Sequence, residues 1–195
     1  MSGGTWIMKK SHVLTSLLLA GAVAFSVSGC AGFKVIDDED VFYDALENVL
    51  DVSKKETTHQ KNWTINGDDA EYVIYYSDGD NVYLYVRFED EKDAMDCFED
   101  FYEDFEDIVD DKEFDGSNVR AITKTRGSVV FNGEVEEGAE LGFVIGSNYM
   151  YEDSDIYGGV YVNKNVYIEV YSVNGSKRDN EKISNFLKEL KFPKP

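Results

Sequence analysis

Between Val82 and Phe88 the chain alternates without a break: Val82, Leu84, Val86 and Phe88 fall on one side, Tyr83, Tyr85 and Arg87 on the other. A period of two marks a strand whose two faces meet different surroundings, and it restricts the available folds severely. Asp78-Gly79-Asp80-Asn81 precedes it as a turn, and Tyr72 to Tyr76 reads as the first arm of a hairpin. Behind it, Ala94, Phe98, Phe101, Phe105 and Ile108 recur at helical spacing within Glu91 to Val109. That stripe belongs to a helix lying on a sheet.

The same order returns later in the chain. Tyr157 to Val162 and Val166 to Val173 flank the turn Asn163-Lys164-Asn165, and Asp179 to Leu190 carries Ile183, Phe186, Leu187 and Leu190 at helical spacing. Val166, Ile168 and Val170 match Val82, Leu84 and Val86; Tyr167 and Tyr171 take the places of Tyr83 and Tyr85. The two stretches read either as a duplicated β-β-α unit or as convergence on one common motif. The fold class is α+β: an antiparallel sheet of hairpins with helices packed on one face.

That architecture makes the other face the candidate binding surface. Tyr83, Tyr85, Tyr161, Tyr167 and Tyr171 are expected there, where ring area and a hydroxyl tip suit a peptide, a glycan or a partner protein. The plainer reading is that tyrosine favours strands and half-wet sheet faces.

The rest of the chain is less regular. Asp37 to Val52 reads as a helix with an acidic first turn, which suits the helix dipole, and Lys54 to Asp69 as a loop or a short edge strand. Between Asp115 and Met150 the pattern weakens; strands are expected near Val119–Lys124, Ser128–Asn132 and Leu141–Ile145.

The first thirty residues follow another logic. Lys9 and Lys10 head an uncharged run from Val13 to Val27, which ends in Val27-Ser28-Gly29-Cys30. A basic head, a short apolar segment and small residues at the cut describe a secretory signal peptide; the run is short for a spanning helix. The ending resembles the lipobox of bacterial lipoproteins. That resemblance implies diacylglyceryl attachment at Cys30, cleavage just before it, and a protein held by the lipid bilayer on the extracytoplasmic side. At least two acyl chains anchor stably where one does not. The expected division is a signal peptide over 1–29, a tether over 30–36 and one domain over 37–195.

Charge and cysteine count bound the partners. Without Lys9 and Lys10 the chain keeps 17 basic side chains against 39 acidic, a net charge near −22. Phosphate backbones need Lys and Arg clusters, so no nucleic acid is expected as a partner. With Cys30 acylated, Cys97 stands alone and no internal disulfide forms.

Chemistry-bearing motifs are few. Asp111-Lys112-Glu113-Phe114-Asp115-Gly116 resembles the opening of an EF-hand loop, yet Val119 and Ile122 occupy its ninth and twelfth positions, where ligands are required. No metal site is therefore expected, and no cofactor. His59 is the single histidine beyond the leader, too few for a His-based triad with a spare or a multi-histidine zinc centre. The acids of 96–107 read as a solvated helix face. The expectation is a lipid-anchored, non-enzymatic binding module using the tyrosine face. A structural or assembly role, including self-association, is the alternative, with a carboxylate-dependent hydrolase third.

Overall fold

The computed structural model describes residues 33–65, 67–144 and 153–195. Three helices, α1 (Glu39–Leu50), α2 (Glu91–Asp110) and α3 (Lys177–Glu189), accompany seven strands. These are β1 (Thr58–Ile65), β2 (Asp68–Ser77), β3 (Asn81–Phe88), β4 (Phe114–Thr123), β5 (Arg126–Val135), β6 (Ser154–Asn163) and β7 (Val166–Ser172). They form one antiparallel sheet in the order β1-β2-β3-β7-β6-β5-β4, an α+β architecture. Two meanders, β1-β2-β3 and β4-β5-β6-β7, meet at the central β3·β7 pair. No described helix is long and apolar enough to cross a membrane.

Each helix starts where a side chain satisfies its free amides. Asp38 accepts from the Asp40 N–H, Asp90 from those of Lys92 and Asp93, and Ser176 Oγ from that of Asp179. The expected helices form, with every end within two residues of its expected place. The polar stretch after α1 contains β1, an edge strand exposed along nearly its whole length.

Helices cover both faces of the sheet, not one. On the first, α2 lays Ala94, Phe98, Phe101 and Phe105 against Val82, Leu84, Val86 and Phe88. On the second, α1 and α3 lie side by side, with Phe42, Ile183, Phe186 and Leu187 packed on Val166, Ile168 and Val170. The reason is register. Across the central pair Val86 faces Tyr167, Val82 faces Tyr171, Tyr85 faces Ile168 and Tyr83 faces Val170. Directly opposed residues share a face. The aliphatic stripe of β3 therefore meets α2 and that of β7 meets α3, while the tyrosines of each of these two strands turn toward the helix of the other unit. The two units are similar in plan and opposite in facing.

Two close approaches depend on glycine. A Cβ on Gly127 would lie 2.2 Å from the Phe98 ring, so its absence lets α2 settle onto β5. Gly116 and Gly133 are direct partners in the β4·β5 ladder, and the Phe114 ring lies over both. Gly116 thus serves a strand, not the turn of a calcium loop.

Within the expected strand over 141–145, the described residues Leu141 to Val144 form no strand. Ala139, Leu141 and Phe143 are buried, but they cover the α2 side of the sheet instead of pairing with it, and Phe143 stacks on Tyr171 at 3.9 Å between centroids. Ile145 lies outside the described residues. Phe33 and Ile36, which fall in the span expected as a tether, are buried in the core under α1 and α3.

Candidate functional site

The five tyrosines are not an exposed strip. All are buried, none more than 2% accessible, and they are divided between the two faces. Tyr83, Tyr85 and Tyr161 lie under α1 and α3, while Tyr167 and Tyr171 lie on the α2 side. The local alternation holds; what fails is the assumption that the hairpins share one facing, and within the second hairpin Tyr161 pairs with Ile168, which sets it on the face opposite Tyr167. Their hydroxyls serve the interior. Tyr85 donates to the Ile36 carbonyl at 3.2 Å and Tyr161 to that of Pro193 at 2.6 Å, tying the segments before α1 and after α3 to the sheet. Burial pushes all five phenols above their ordinary range. For Tyr167 the neighbouring Glu169 carboxylate adds to that rise.

Glu169 is the charged residue that sequence reading missed. It sits between Tyr167 and Tyr171 on central strand β7 and is fully buried. Its Oε1 accepts from the Val144 N–H and from the Tyr167 hydroxyl, both at 2.7 Å. A carboxylate placed there pins the 139–144 segment over the sheet. Burial first, and Glu169 second, push the Cys97 thiol up, away from thiolate chemistry. The visible signal was one acid within Val166-Tyr167-Ile168-Glu169-Val170-Tyr171, an otherwise apolar and aromatic run.

A second polar network ties the β2–β3 turn to the start of α3. Asn81 Nδ2 donates to Asp78 at 2.6 Å and to Asp179 at 2.9 Å, and Lys182 bridges the same two carboxylates. Hydrogen bonds from Ser176 and Asn81, then Lys182, pull the Asp179 carboxyl down to about 2. Among the described residues, no group of three or more His, Cys, Asp or Glu is placed to hold a metal ion.

No protein-family model, no curated protein and no solved structure matches this chain.

Two surfaces stand out. The first is the outer edge of β4, whose ten residues pair with β5 in unbroken register and expose Val119 and Ile122. At the opposite edge, Asn62 takes a left-handed φ of 53° and drops out of the β1·β2 ladder across from Glu71, the site of a register shift in β2. Such irregularity blunts an edge; β4 has none. The second is the end of the molecule at Phe33, where the described chain begins. Phe33 packs on Tyr161 and Phe192, its carbonyl accepts from Asn163, and Arg126 lies over its ring. Cys30 lies outside the described residues, three positions before Phe33.

Proposed function

We propose that this chain is a lipid-anchored extracytoplasmic protein whose domain is a non-enzymatic binding module. The observation that carries the reading is Val27-Ser28-Gly29-Cys30 behind an uncharged apolar run, placed three residues before the first core side chain, Phe33. An anchor at Cys30 then connects almost directly to the folded body.

Since the tyrosines are interior, the binding surface we assign is the β4 edge, where an extended segment of a partner protein adds as an eighth strand. Its free backbone groups supply the hydrogen bonds, and Val119 and Ile122, pointing to opposite sides, supply side-chain contacts. Fractionation after a carbonate wash tests the anchor: the wild type stays with membranes and Cys30→Ser does not. Retention of both in the same fraction overturns it. A photo-crosslinking residue at Val119 tests the edge. Discrete adducts that disappear when Asn118→Pro and Arg120→Pro break the strand support it; adducts unchanged by those substitutions, or none at all, remove it.

A further inference from the structure

We propose that the Phe33 end of the domain rests on the anionic surface of the bilayer, so that the strands stand away from the membrane and both sheet edges face sideways. The inference builds on the acylation of Cys30 and adds which surface the anchor brings to the lipid. Phe33 follows Cys30 by three positions, and three steps of chain span at most about 11 Å. Phe33 is fixed in the core, so the end that holds it is drawn against the headgroups. Strands of ten residues run ~33 Å, which sets the opposite end far from them.

Charge placement favours the same pose. The Lys164 N–H donates to the Thr125 carbonyl, so the β6–β7 and β4–β5 turns meet at this end. Arg126 pairs in register with Asn163, which holds Phe33. Lys34, Lys124, Arg126, Lys164 and Lys191 thus gather around one residue, five of the 17 cations in a strongly anionic body. Asp37, Glu89, Asp90 and Glu91 line a shallow depression beside Lys164, with Asp90 engaged as the cap of α2, and Asp68, Asp69 and Asp93 lie at this end too, since the Glu89 N–H donates to the Asp69 carbonyl. The opposite end holds more acids, and its cations Lys112, Lys177, Arg178 and Lys182 are outnumbered by them, Lys182 being bound between Asp78 and Asp179. It carries Asp78 and Asp80 in one turn, Asp110, Asp111 and Glu113 in another, and Glu136, Glu137 and Asp153 nearby. Anionic lipid attracts basic segments within a Debye length and repels acidic ones, so the end with more cations and fewer acids is the one that faces it.

The experiment uses the full chain, matured in bacterial membranes and reconstituted into phosphatidylglycerol–phosphatidylcholine vesicles. Lys124→Cys, Lys164→Cys and Glu137→Cys variants carry an environment-sensitive fluorophore; buried Cys97 is left unmodified and checked in the parent. Quenching by headgroup-spin-labelled phosphatidylcholine is expected to be several-fold stronger at 124 and 164 than at 137. Equal quenching at both ends, with acyl chains present in the mass of the N-terminal peptide, overturns the orientation and leaves the anchor standing. An N-terminal peptide without acyl mass overturns both.

Discussion

Val86 of β3 lies directly across the central strand pair from Tyr167 of β7. This single registration sets the aliphatic stripe of one hairpin beside the tyrosines of the other. It gives both faces of the sheet an apolar surface that demands a helix, and α2 covers one while α1 and α3 cover the other.

Buried tyrosines differ in what their hydroxyls do. Tyr83 OH has no hydrogen-bond partner among the described residues, whereas Tyr161 OH reaches the Pro193 carbonyl at 2.6 Å. Tyr83→Phe is expected to leave stability unchanged or raise it, and Tyr161→Phe to cost about 1 kcal/mol. Urea denaturation of the two variants decides; equal losses would contradict the assignment.

Glu169 accepts two hydrogen bonds in the core. Glu169→Leu strands the Val144 N–H and the Tyr167 hydroxyl and should cost about 2–4 kcal/mol, whereas Glu169→Gln keeps an acceptor and should cost less. Hydrogen exchange at Val144 reports the loss locally: it should accelerate in the Leu variant well before global unfolding. Unchanged protection would show that Glu169 does not hold the segment.

Asp179 gives the fold an acid-side dependence. Its carboxyl titrates at about 2 in the folded chain, below the ordinary 3.8. The stabilisation is therefore fully present above pH ~4 and fades as pH falls toward 2, because the unfolded chain takes up the proton first. Allowing for partial solvent screening, the effect is about 1–2 kcal/mol. The stability gap between wild type and Asp179→Asn, measured by denaturant titration at several pH values, should narrow from pH 5 to pH 2. A gap that stays constant would contradict it.

Gly127→Ala drives a methyl into the Phe98 ring, which is fully buried and cannot turn aside freely. Overpacking of this kind costs about 1–3 kcal/mol. Thermal unfolding should show a lowered midpoint, partly restored by Phe98→Leu in the same chain. Failure of that rescue would place the clash elsewhere.

The hairpins, all three helices and the α+β class were legible because each depends on local periodicity and capping. Val82 to Phe88 and the stripe from Ala94 to Ile108 needed no tertiary information. The facing of the second hairpin did depend on it, since the Val86–Tyr167 registration joins residues 81 positions apart and no local pattern encodes it. The same dependence hid the burial of Phe33 and Ile36, which look like linker residues until Tyr161, Phe192 and Tyr85 are brought beside them. Leu141 and Phe143 alternate like a strand, yet both are buried in the core on the α2 side, where Phe143 packs on aromatic rings of α2 and β7.

Growth of the bacterium expressing the full chain with a labelled fatty acid, followed by the mass of the mature protein, bears most directly on the anchor. The account predicts a labelled wild type that begins at Cys30 and carries at least two acyl chains, and an unlabelled Cys30→Ser chain. A wild type that takes up no fatty acid, or a serine variant labelled to the same extent, would contradict it.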